Sequence, residues 1–367
     1  MNALAAPADG AITDGRLRRL PPALALGGGA LLLAVVAVLA IGHGAYRIAP
    51  LDVMRILADR LPGLDLAVDP QQAAVLTAIR APRVLLAVLT GAGLAVAGAL
   101  MQGLFRNPLA DPSLIGVSAG GALAAATVIV LGAQLAPGLL RAEPWIAALA
   151  LPLAAFAGSL AVTALVYRIG AAQGVLSLPL TLLAGIAINA MAMAGVGLLT
   201  YVATDEQLRS LTFWNLGSLA TGTWTVLAVL LPLLALALLG ALRLAQPLNA
   251  LAMGEARAGH LGVDVRRCKR AVVVLAALAT GSLVAVTGVI GFIGLVAPHI
   301  VRLLCGPDHR VLLPACALLG AVLVVLADMA ARTVVAPAEL PIGILTAALG
   351  APFFLALLRR RRAAGSP

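Results

Sequence analysis

Long apolar segments separated by short polar ones dominate the chain. A helix that crosses a lipid bilayer needs about 20 predominantly apolar residues. The pattern predicts ten membrane-spanning helices, at residues 23–43, 81–105, 113–133, 144–168, 178–202, 223–243, 270–290, 291–304, 311–331 and 342–358. The eighth is short enough to begin inside the membrane, and residues 206–220 predict a short helix that lies at the surface or dips inward. The predicted fold class is therefore an all-α polytopic membrane protein.

Composition supports lipid as the solvent of these helices. Of the 367 residues, 62% are hydrophobic and 11% are charged, whereas soluble domains carry about 25% charged residues. The mean hydropathy is +1.06. The net charge is +10, but the arginines lie between apolar segments or at the chain ends, and only 3% of residues are aromatic. With so few aromatic side chains for base stacking, no nucleic-acid partner is expected.

Basic residues predict the orientation of the helices, because they are enriched in cytoplasmic loops. With the N-terminus inside, 17 Lys and Arg residues fall in cytoplasmic segments and eight fall outside. Residues 1–22 and 359–367 are then cytoplasmic tails that flank a ten-helix domain at residues 23–358. The first apolar segment is longer than a signal-peptide core, and no clear Ala-x-Ala site follows it. It is therefore interpreted as a span.

Nucleotide-binding and catalytic motifs are absent from the sequence. The single lysine, Lys269, does not follow a glycine-rich loop, so there is no Walker A motif, and neither HExxH nor GxSxG occurs. The four histidines and three cysteines are scattered without metal-ligand spacing. The chain is therefore expected to be neither an enzyme nor a metal protein, and to hold no cofactor of its own.

Ionisable side chains are nearly absent from the centres of the predicted spans, which disfavours a proton- or sodium-coupled carrier. The main exceptions are Asp328 and Arg332, whose i,i+4 spacing near the outer end of the ninth span suggests an ion pair. Arg332, Arg80 and Arg83 are predicted to face outside. Such a cationic mouth attracts acidic groups of a partner or anionic substrates, although snorkelling to lipid headgroups explains the same arginines. The energy for transport is then expected from a partner subunit.

The longest predicted cytoplasmic loop, residues 246–267, has features of a docking segment. Pro247 and Asn249 suit a helix start, and Gly254 and Gly262 suit breaks. The segment predicts two short helices. Their apolar side is formed by Leu248, Leu251 and Met253. An ordinary solvated loop is the alternative. A purely structural membrane subunit would need neither this segment nor the outer arginines.

Four motifs together resemble the permeases that import iron-siderophores, haem and cobalamin. They are residues 80–121 (RAPRVLLAVLTGAGLAVAGALMQGLFRNPLADPSLIGVSAGG), 254–262 (GEARAGHLG), 288–302 (GVIGFIGLVAPHIVR) and 339–352 (ELPIGILTAALGAP). The resemblance extends from about residue 24 to residue 360. It implies the fold of a type II ABC importer permease, with ten helices per subunit, in the inner membrane of a bacterium. It also implies a homodimer, two cytoplasmic subunits that bind ATP and Mg, and a periplasmic substrate-binding protein.

The resemblance assigns roles to particular residues. It implies that Arg80, Arg83 and Arg332 dock the binding protein through its glutamates. It places ATPase coupling in the segment Leu248 to Gly262, at Leu248, Leu251, Gly254, Glu255, Gly259, His260, Leu261 and Gly262. It places cytoplasmic gates at Asn107, Leu109, Ser177 and Leu178, where Leu178-Pro179 stands in place of the smaller polar residues common in the family.

The apolar helix at 178–202 is predicted to line the transport path. Its candidate wall residues are Thr181, Asn189, Met191 and Met193, and a lipid-facing or packed helix is the alternative. The stretches RNPLADPSLIGVSAGG, LTFWNLGSLATGTW and GEARAGHLG most resemble haem-importing members, so haem (hemin) is the expected cargo. Ferric siderophores and cobalamin are the alternatives.

Overall fold

The computed structural model describes residues 19–44, 48–59, 66–135, 144–172, 175–336 and 338–363. In chain order the elements are α1 (Pro22–Gly42), α2 (Pro50–Asp59), α3 (Pro70–Ala74), a π-helical turn (Val75–Arg80), α4 (Ala81–Phe105), a 3-10 turn (Pro112–Ile115), α5 (Val117–Leu135), α6 (Pro144–Gly170), β1 (Ala171–Ala172), β2 (Val175–Leu176), α7 (Leu178–Val202), α8 (Asp205–Leu216), α9 (Trp224–Arg243), α10 (Ala245–Ala252), α11 (Glu255–His260), α12 (Val265–Thr287), α13 (Ile293–Cys305), α14 (His309–Thr333) and α15 (Ile342–Ala363).

The predicted all-α membrane fold is confirmed. Within the described residues, seven helices are long and apolar enough to cross a membrane, and three shorter apolar helices accompany them. Each predicted span corresponds to one of these ten helices. The small β1–β2 ladder pairs Ala171 with Leu176 and Ala172 with Val175, and it is too short to change the fold class. The outer parts of the predicted tails, residues 1–18 and 364–367, lie outside the described residues.

One predicted span starts too late: α12 begins at Val265 instead of residue 270. The cause is a helix cap, because the Asp264 carboxylate accepts a hydrogen bond from the backbone N–H of Arg267 at 3.0 Å. The cap continues the helix through a basic turn that hydropathy assigns to a loop. Hydropathy also missed α2 and α3, since both are too short and polar to resemble spans.

The eighth predicted span corresponds to α13, and its start inside the membrane stays a prediction. The first turn of α13 packs against the C-terminal third of α4, where the Gln102 amide donates a hydrogen bond to the Gly294 carbonyl at 3.1 Å. The preceding residues 288–292 have no helical assignment, and Phe292 adopts a left-handed φ of 68°. With 13 residues, α13 is about 20 Å long, whereas the 25-residue α14 is about 37 Å long.

Glycines allow the central helices to approach closely. A Cβ placed on Gly98 would lie 2.0 Å from the Gly294 carbonyl oxygen of α13, and one on Gly91 would lie 2.1 Å from the Gly320 carbonyl oxygen of α14. Gly120 of α5 lies similarly against Gly158 of α6. The close packing at Gly91 and Gly98 contributes to the burial of α4, which belongs to the most buried of the spanning segments.

The two ends of the bundle carry different features. The arginine end is formed by Arg80 and Arg83 at the start of α4 and Arg332 at the end of α14. The opposite end, which we call the coupling end, is formed by α10 and α11. It lies beside the start of α14, because the His309 N–H donates a hydrogen bond to Asn249 of α10. α1 also begins at the coupling end, where the N–H of Leu20 donates to the Leu304 carbonyl at 2.9 Å.

Candidate functional site

A buried carboxylate holds two of the arginines at the arginine end. Asp328 is 1% exposed, and its Oδ1 accepts hydrogen bonds from Arg83 Nε at 3.0 Å and Nη2 at 2.9 Å. Its Oδ2 lies 3.0 Å from Arg332 Nε, so the predicted i,i+4 ion pair is confirmed. The Arg332 Nε–H points at the backbone carbonyl oxygen of Asp328. The contact between Arg332 and the Asp328 carboxylate is therefore electrostatic and is not an aligned hydrogen bond.

Glu339 supplies the second carboxylate of the arginine end. Its two oxygens accept from Arg83 Nη1 and Nη2, each at 2.9 Å, in a bidentate pair. Its side chain is 47% exposed, whereas that of Arg83 is only 13% exposed. Together with Asp328 they line a cavity of about 170 Å³ that also contacts the end of α8. Sequence analysis missed this partner, although Glu339 opens one of the four motifs and lies 11 residues after Asp328.

Arg80 and Arg332 both bind the backbone at the end of α1. Arg80 Nη1 donates to the carbonyl oxygens of Ile41 and Gly42 at 2.9 and 3.1 Å. Arg332 donates to the carbonyl oxygens of His43 and Ala40, both at 3.1 Å. These carbonyls terminate α1 and have no helical partners, so the guanidinium groups satisfy them. The structure thus brings the three predicted arginines together, and their role in docking stays a prediction.

The coupling end contains the two short helices that the sequence predicts, α10 and α11. Their breaks fall at the predicted glycines, since Gly254 has φ 110° and Gly262 has φ 82°. Such angles strain any residue with a Cβ. The predicted start at Pro247 is wrong, because α10 follows α9 with a single intervening residue, Leu244.

The predicted apolar side of this segment is divided between core and surface. Leu248 and Leu251 are 0% and 3% exposed and belong to the main core, so they anchor α10 to the bundle. Met253 and Leu261 are 53% and 62% exposed. Gly259 and His260 are exposed beside Leu261, so the surface that this segment offers lies mainly on α11 and the turn after it.

Asn249 connects α10 to the start of α14, and we call α10 and α11 together the coupling segment. Its amide nitrogen donates to Asp308 Oδ1 at 2.6 Å, and its oxygen accepts from the His309 backbone N–H at 3.0 Å. The Arg310 N–H and the Asn249 amide hold the pKa of the Asp308 carboxyl below its usual range. The carboxylate therefore stays ionised and keeps its role as the cap of α14.

The predicted gate residues lie around the connection between α4 and α5. Asn107 and Leu178 line one cavity of about 270 Å³, so these two predicted positions are brought together. Leu109 lies on the other side of the connection, in a crevice with His299 and Phe353. Ser177 does not line the first cavity; its N–H donates to the Gly170 carbonyl at 2.9 Å, which closes the β1–β2 loop ahead of α7.

Asp111 ends the same connection. Its Oδ1 accepts from the Ser113 N–H at 2.9 Å and caps the 3-10 turn. Burial raises the pKa of this carboxyl, and hydrogen bonds from Ser113 oppose the rise.

The predicted wall residues of α7 do not share one face. Thr181 is 1% exposed and donates to the Ser177 carbonyl, and the Asn189 amide donates to the Ser113 carbonyl at 3.0 Å. Both therefore face the bundle. Met191 and Met193 are 69% and 52% exposed, at opposite edges of an outward apolar stripe. The centre of that stripe, which sequence analysis did not identify, contains Leu183, Ile186, Ala187, Ala190, Ala194, Leu198 and Tyr201.

Metal chemistry has no evident place in the described part of the chain. No group of three or more His, Cys, Asp or Glu residues there has metal-binding geometry. The three cysteines are unpaired. The arrangement is that of a scaffold with polar contacts at its two ends and an apolar body.

Comparisons with known proteins agree with this architecture. Residues 31–360 match the FecCD transport family. The hemin transport system permease protein HmuU of Yersinia pestis is 49% identical over 285 residues, which are 77% of this chain and 83% of that protein. The cobalamin import system permease protein BtuC of Halobacterium salinarum is 41% identical over 293 residues, 80% of this chain and 75% of that protein.

A solved structure gives the same result in three dimensions. A metal-chelate type ABC transporter in an inward-facing conformation matches with a TM-score of 0.77 and 34% sequence identity. The match covers 91% of this chain and 98% of that chain.

Proposed function

Because the chain belongs to the FecCD family as the permease subunit of an ABC importer, we propose that it carries haem (hemin) from the periplasm to the cytoplasm. The observation that supports haem is the 49% identity to a hemin permease, against 41–44% to cobalamin (vitamin B12) permeases. Importers of this family work with ATP-binding subunits and substrate-binding proteins. The chain itself is the transport subunit and not the ATPase.

The proposed working unit is a homodimer with the transport path between two copies. The outward apolar stripe of α7 supports this proposal, because Ile186 and Leu198 are 63% and 66% exposed in the single chain. A smooth apolar wall suits a large, mostly apolar cargo, since tight binding inside the path would slow its release. Met191 and Met193 flank this proposed wall.

The arginine end is the proposed docking site of the periplasmic substrate-binding protein. Arg83 is the arginine best suited to meet an acidic side chain, because it already holds the exposed carboxylate of Glu339 in a bidentate pair. Arg80 and Arg332 bind the end of α1 and would position that surface. Complementary charge of this kind governs the rate and specificity of association.

The coupling end is the proposed docking site of the ATP-binding subunits, which bind ATP and Mg. The proposed contact surface contains the exposed side chains of Leu261 and His260. The backbone conformation of this segment is set by Gly254, Glu255, Gly259 and Gly262. Leu248 and Leu251 would transmit its movement because they are rooted in the core. The nearby cavity between Asn107 and Leu178 is the proposed cytoplasmic gate, to which Leu109 and Ser177 contribute from the two flanking loops.

In the proposed orientation the arginine end faces the periplasm across the bacterial inner membrane. Both tails are then cytoplasmic, in agreement with the bias of basic residues toward that side. An ion-coupled carrier is disfavoured because Asp328 is already neutralised by Arg83 and Arg332.

Uptake by the reconstituted importer tests this proposal. The chain is placed in proteoliposomes with the ATP-binding subunit and the substrate-binding protein of the same importer. Accumulation of haem, cobalamin and a ferric siderophore is then measured with and without ATP. We expect ATP-dependent accumulation of haem, with cobalamin and the siderophore at background.

Two other outcomes would each overturn part of the proposal. ATP-dependent uptake of cobalamin or the siderophore alone would reject haem and keep the importer. Uptake that follows an imposed proton or sodium gradient and ignores ATP would reject the importer in favour of a secondary carrier.

A further inference from the structure

The chain's only lysine is buried where two parts of the proposed machinery meet. The Lys269 side chain is 4% exposed, in the first turns of α12. Its Nζ lies 2.8 Å from Glu255 Oε2 and donates to the Leu176 carbonyl oxygen at 3.1 Å. One ammonium group therefore bonds at once to the first residue of α11 and to the last residue of β2.

The residue on one side belongs to the coupling segment. Glu255 begins α11 immediately after Gly254, whose φ of 110° makes that junction a sharp turn. The Glu255 side chain is 40% exposed, so it lies between the surface of the coupling end and the interior. A displacement of α11 therefore moves the carboxylate that Lys269 holds.

The residue on the other side leads directly to the proposed gate. Leu176 pairs with Ala171 in the β1–β2 ladder and is followed by Ser177, the N-cap of α7. The next residue, Leu178, lines the cavity shared with Asn107. A single residue, Ser177, thus separates Leu176, whose carbonyl Lys269 holds, from Leu178 in the lining of the gate cavity.

The energetics of burial make this contact hard to break on one side alone. A buried ammonium group that loses its counter-ion is left as an uncompensated charge, which is strongly unfavourable. Lys269 must therefore follow Glu255 or find another acceptor. Lysine suits this task because its flexible stem and three donors can serve two acceptors in different directions.

We propose that Lys269 is the positioning residue that links α11 to the gate end of α7, so that movement of the coupling segment changes the cavity at Leu178. This inference rests on the proposed function, since it requires an ATP-binding subunit at the coupling end. A simple anchor for the β1–β2 loop would stabilise the fold but would not connect ATP hydrolysis to the gate.

Lys269→Met tests the link, because methionine keeps an unbranched apolar stem and removes the ammonium group. In the full importer in proteoliposomes, we expect the amount of substrate transported per ATP hydrolysed to fall by about tenfold, with ATP hydrolysis retained. Arg270→Gln is the matched control. It removes a positive charge from the next residue of the same helix, from an exposed side chain outside the predicted docking segment, and should leave the ratio unchanged.

A second readout follows the gate itself. In a variant with Cys268, Cys305 and Cys316 replaced by alanine, Leu178→Cys is expected to change its reactivity toward a thiol reagent when ATP is added. Lys269→Met should abolish that ATP-dependent change. Because a purely structural role would lower stability without removing the response to ATP, this readout separates a link from an anchor.

Glu255→Gln removes the other charge of the pair and allows a double-variant cycle with Lys269→Met. It also replaces Lys269→Met as the test if that variant does not assemble. If the two residues act as one link, the double variant should be no worse than either single variant. Additive losses, or an unchanged transport ratio together with a normal response at Leu178→Cys, would overturn the inference. Failure of the unmodified importer to couple ATP to uptake would instead reject the proposed function.

Discussion

Asp328 is the residue on which the arginine end depends. It is almost completely buried, and it compensates Arg83 and Arg332, whose side chains are 13% and 8% exposed. Removing one member of a buried ion pair costs about 3–5 kcal/mol, because the remaining charges are left without compensation. Here one buried carboxylate faces two guanidinium groups, and the direct ion pair of Glu339 is with Arg83.

We therefore expect Asp328→Asn to lower the stability of the purified chain by about 3 kcal/mol. Thermal unfolding in detergent measures the effect. Asp52→Asn is the control, since the Asp52–Arg55 pair is exposed and its atoms are 3.5 Å apart. Exposed pairs contribute about 0–1 kcal/mol. Equal melting temperatures for the two variants would mean that Asp328 does not carry this charge balance.

At the scale of elements, close helix packing distinguishes α4 from its neighbours. Helix α4 meets α13 through Gly98 and Gly294, and meets α14 through Gly91 and Gly320. In lipid, helices gain little from burying apolar surface, so close backbone packing must supply much of their association energy. A side chain placed at these glycines would separate the helices that carry the arginine cluster.

Gly98→Ala is expected to destabilise the bundle by about 1–3 kcal/mol, because its Cβ would overlap the Gly294 carbonyl and overpack the contact. Gly28→Ala in α1 is the matched control, since nothing lies within 4 Å of a Cβ at that position. Alanine favours a helix over glycine by about 1 kcal/mol, so this control should be neutral or more stable. Unfolding midpoints in the same detergent give the comparison, and similar values would rule out the close contact.

The elements themselves were largely predictable, and their side-chain roles were less so. Hydropathy located ten helices because lipid requires long apolar runs, and the glycines located the breaks around α11. It could not decide which face of α7 is outward, so Thr181 and Asn189 were grouped with Met191 and Met193. Nor could it find contacts between distant residues, such as Arg83 with Glu339 or Lys269 with Glu255, since these depend on the assembled bundle.

At the scale of the whole molecule, the main property is the separation of the arginine end from the coupling end. Arg83 and Arg332 are separated from α10 and α11 by the full length of α4 and α14, about 37 Å for each 25-residue helix. A partner at one end cannot touch a partner at the other. Signals between them must pass through the helices and their connections.

Because the two ends are far apart, docking at the arginine end can be altered without changing the coupling end. Arg83→Gln should weaken binding of the substrate-binding protein by about tenfold, since it removes the charge that an acidic partner would meet. Arg257→Gln, on the exposed side of α11, is the charge-matched control and should leave that affinity unchanged. Binding to the permease in nanodiscs, measured over a series of salt concentrations, provides the readout. Loss of affinity in the Arg257 variant alone would reverse the assigned orientation.

The positions of the first and last helices have a practical consequence. α1 begins at the coupling end beside Leu304, and α15 starts beyond Glu339 at the arginine end and runs back. A flexible peptide can therefore fuse two copies in tandem without an additional crossing of the bilayer. Such a fused pair would allow a substitution in only one half of the proposed dimer, so that the contribution of each half to a transport cycle becomes measurable.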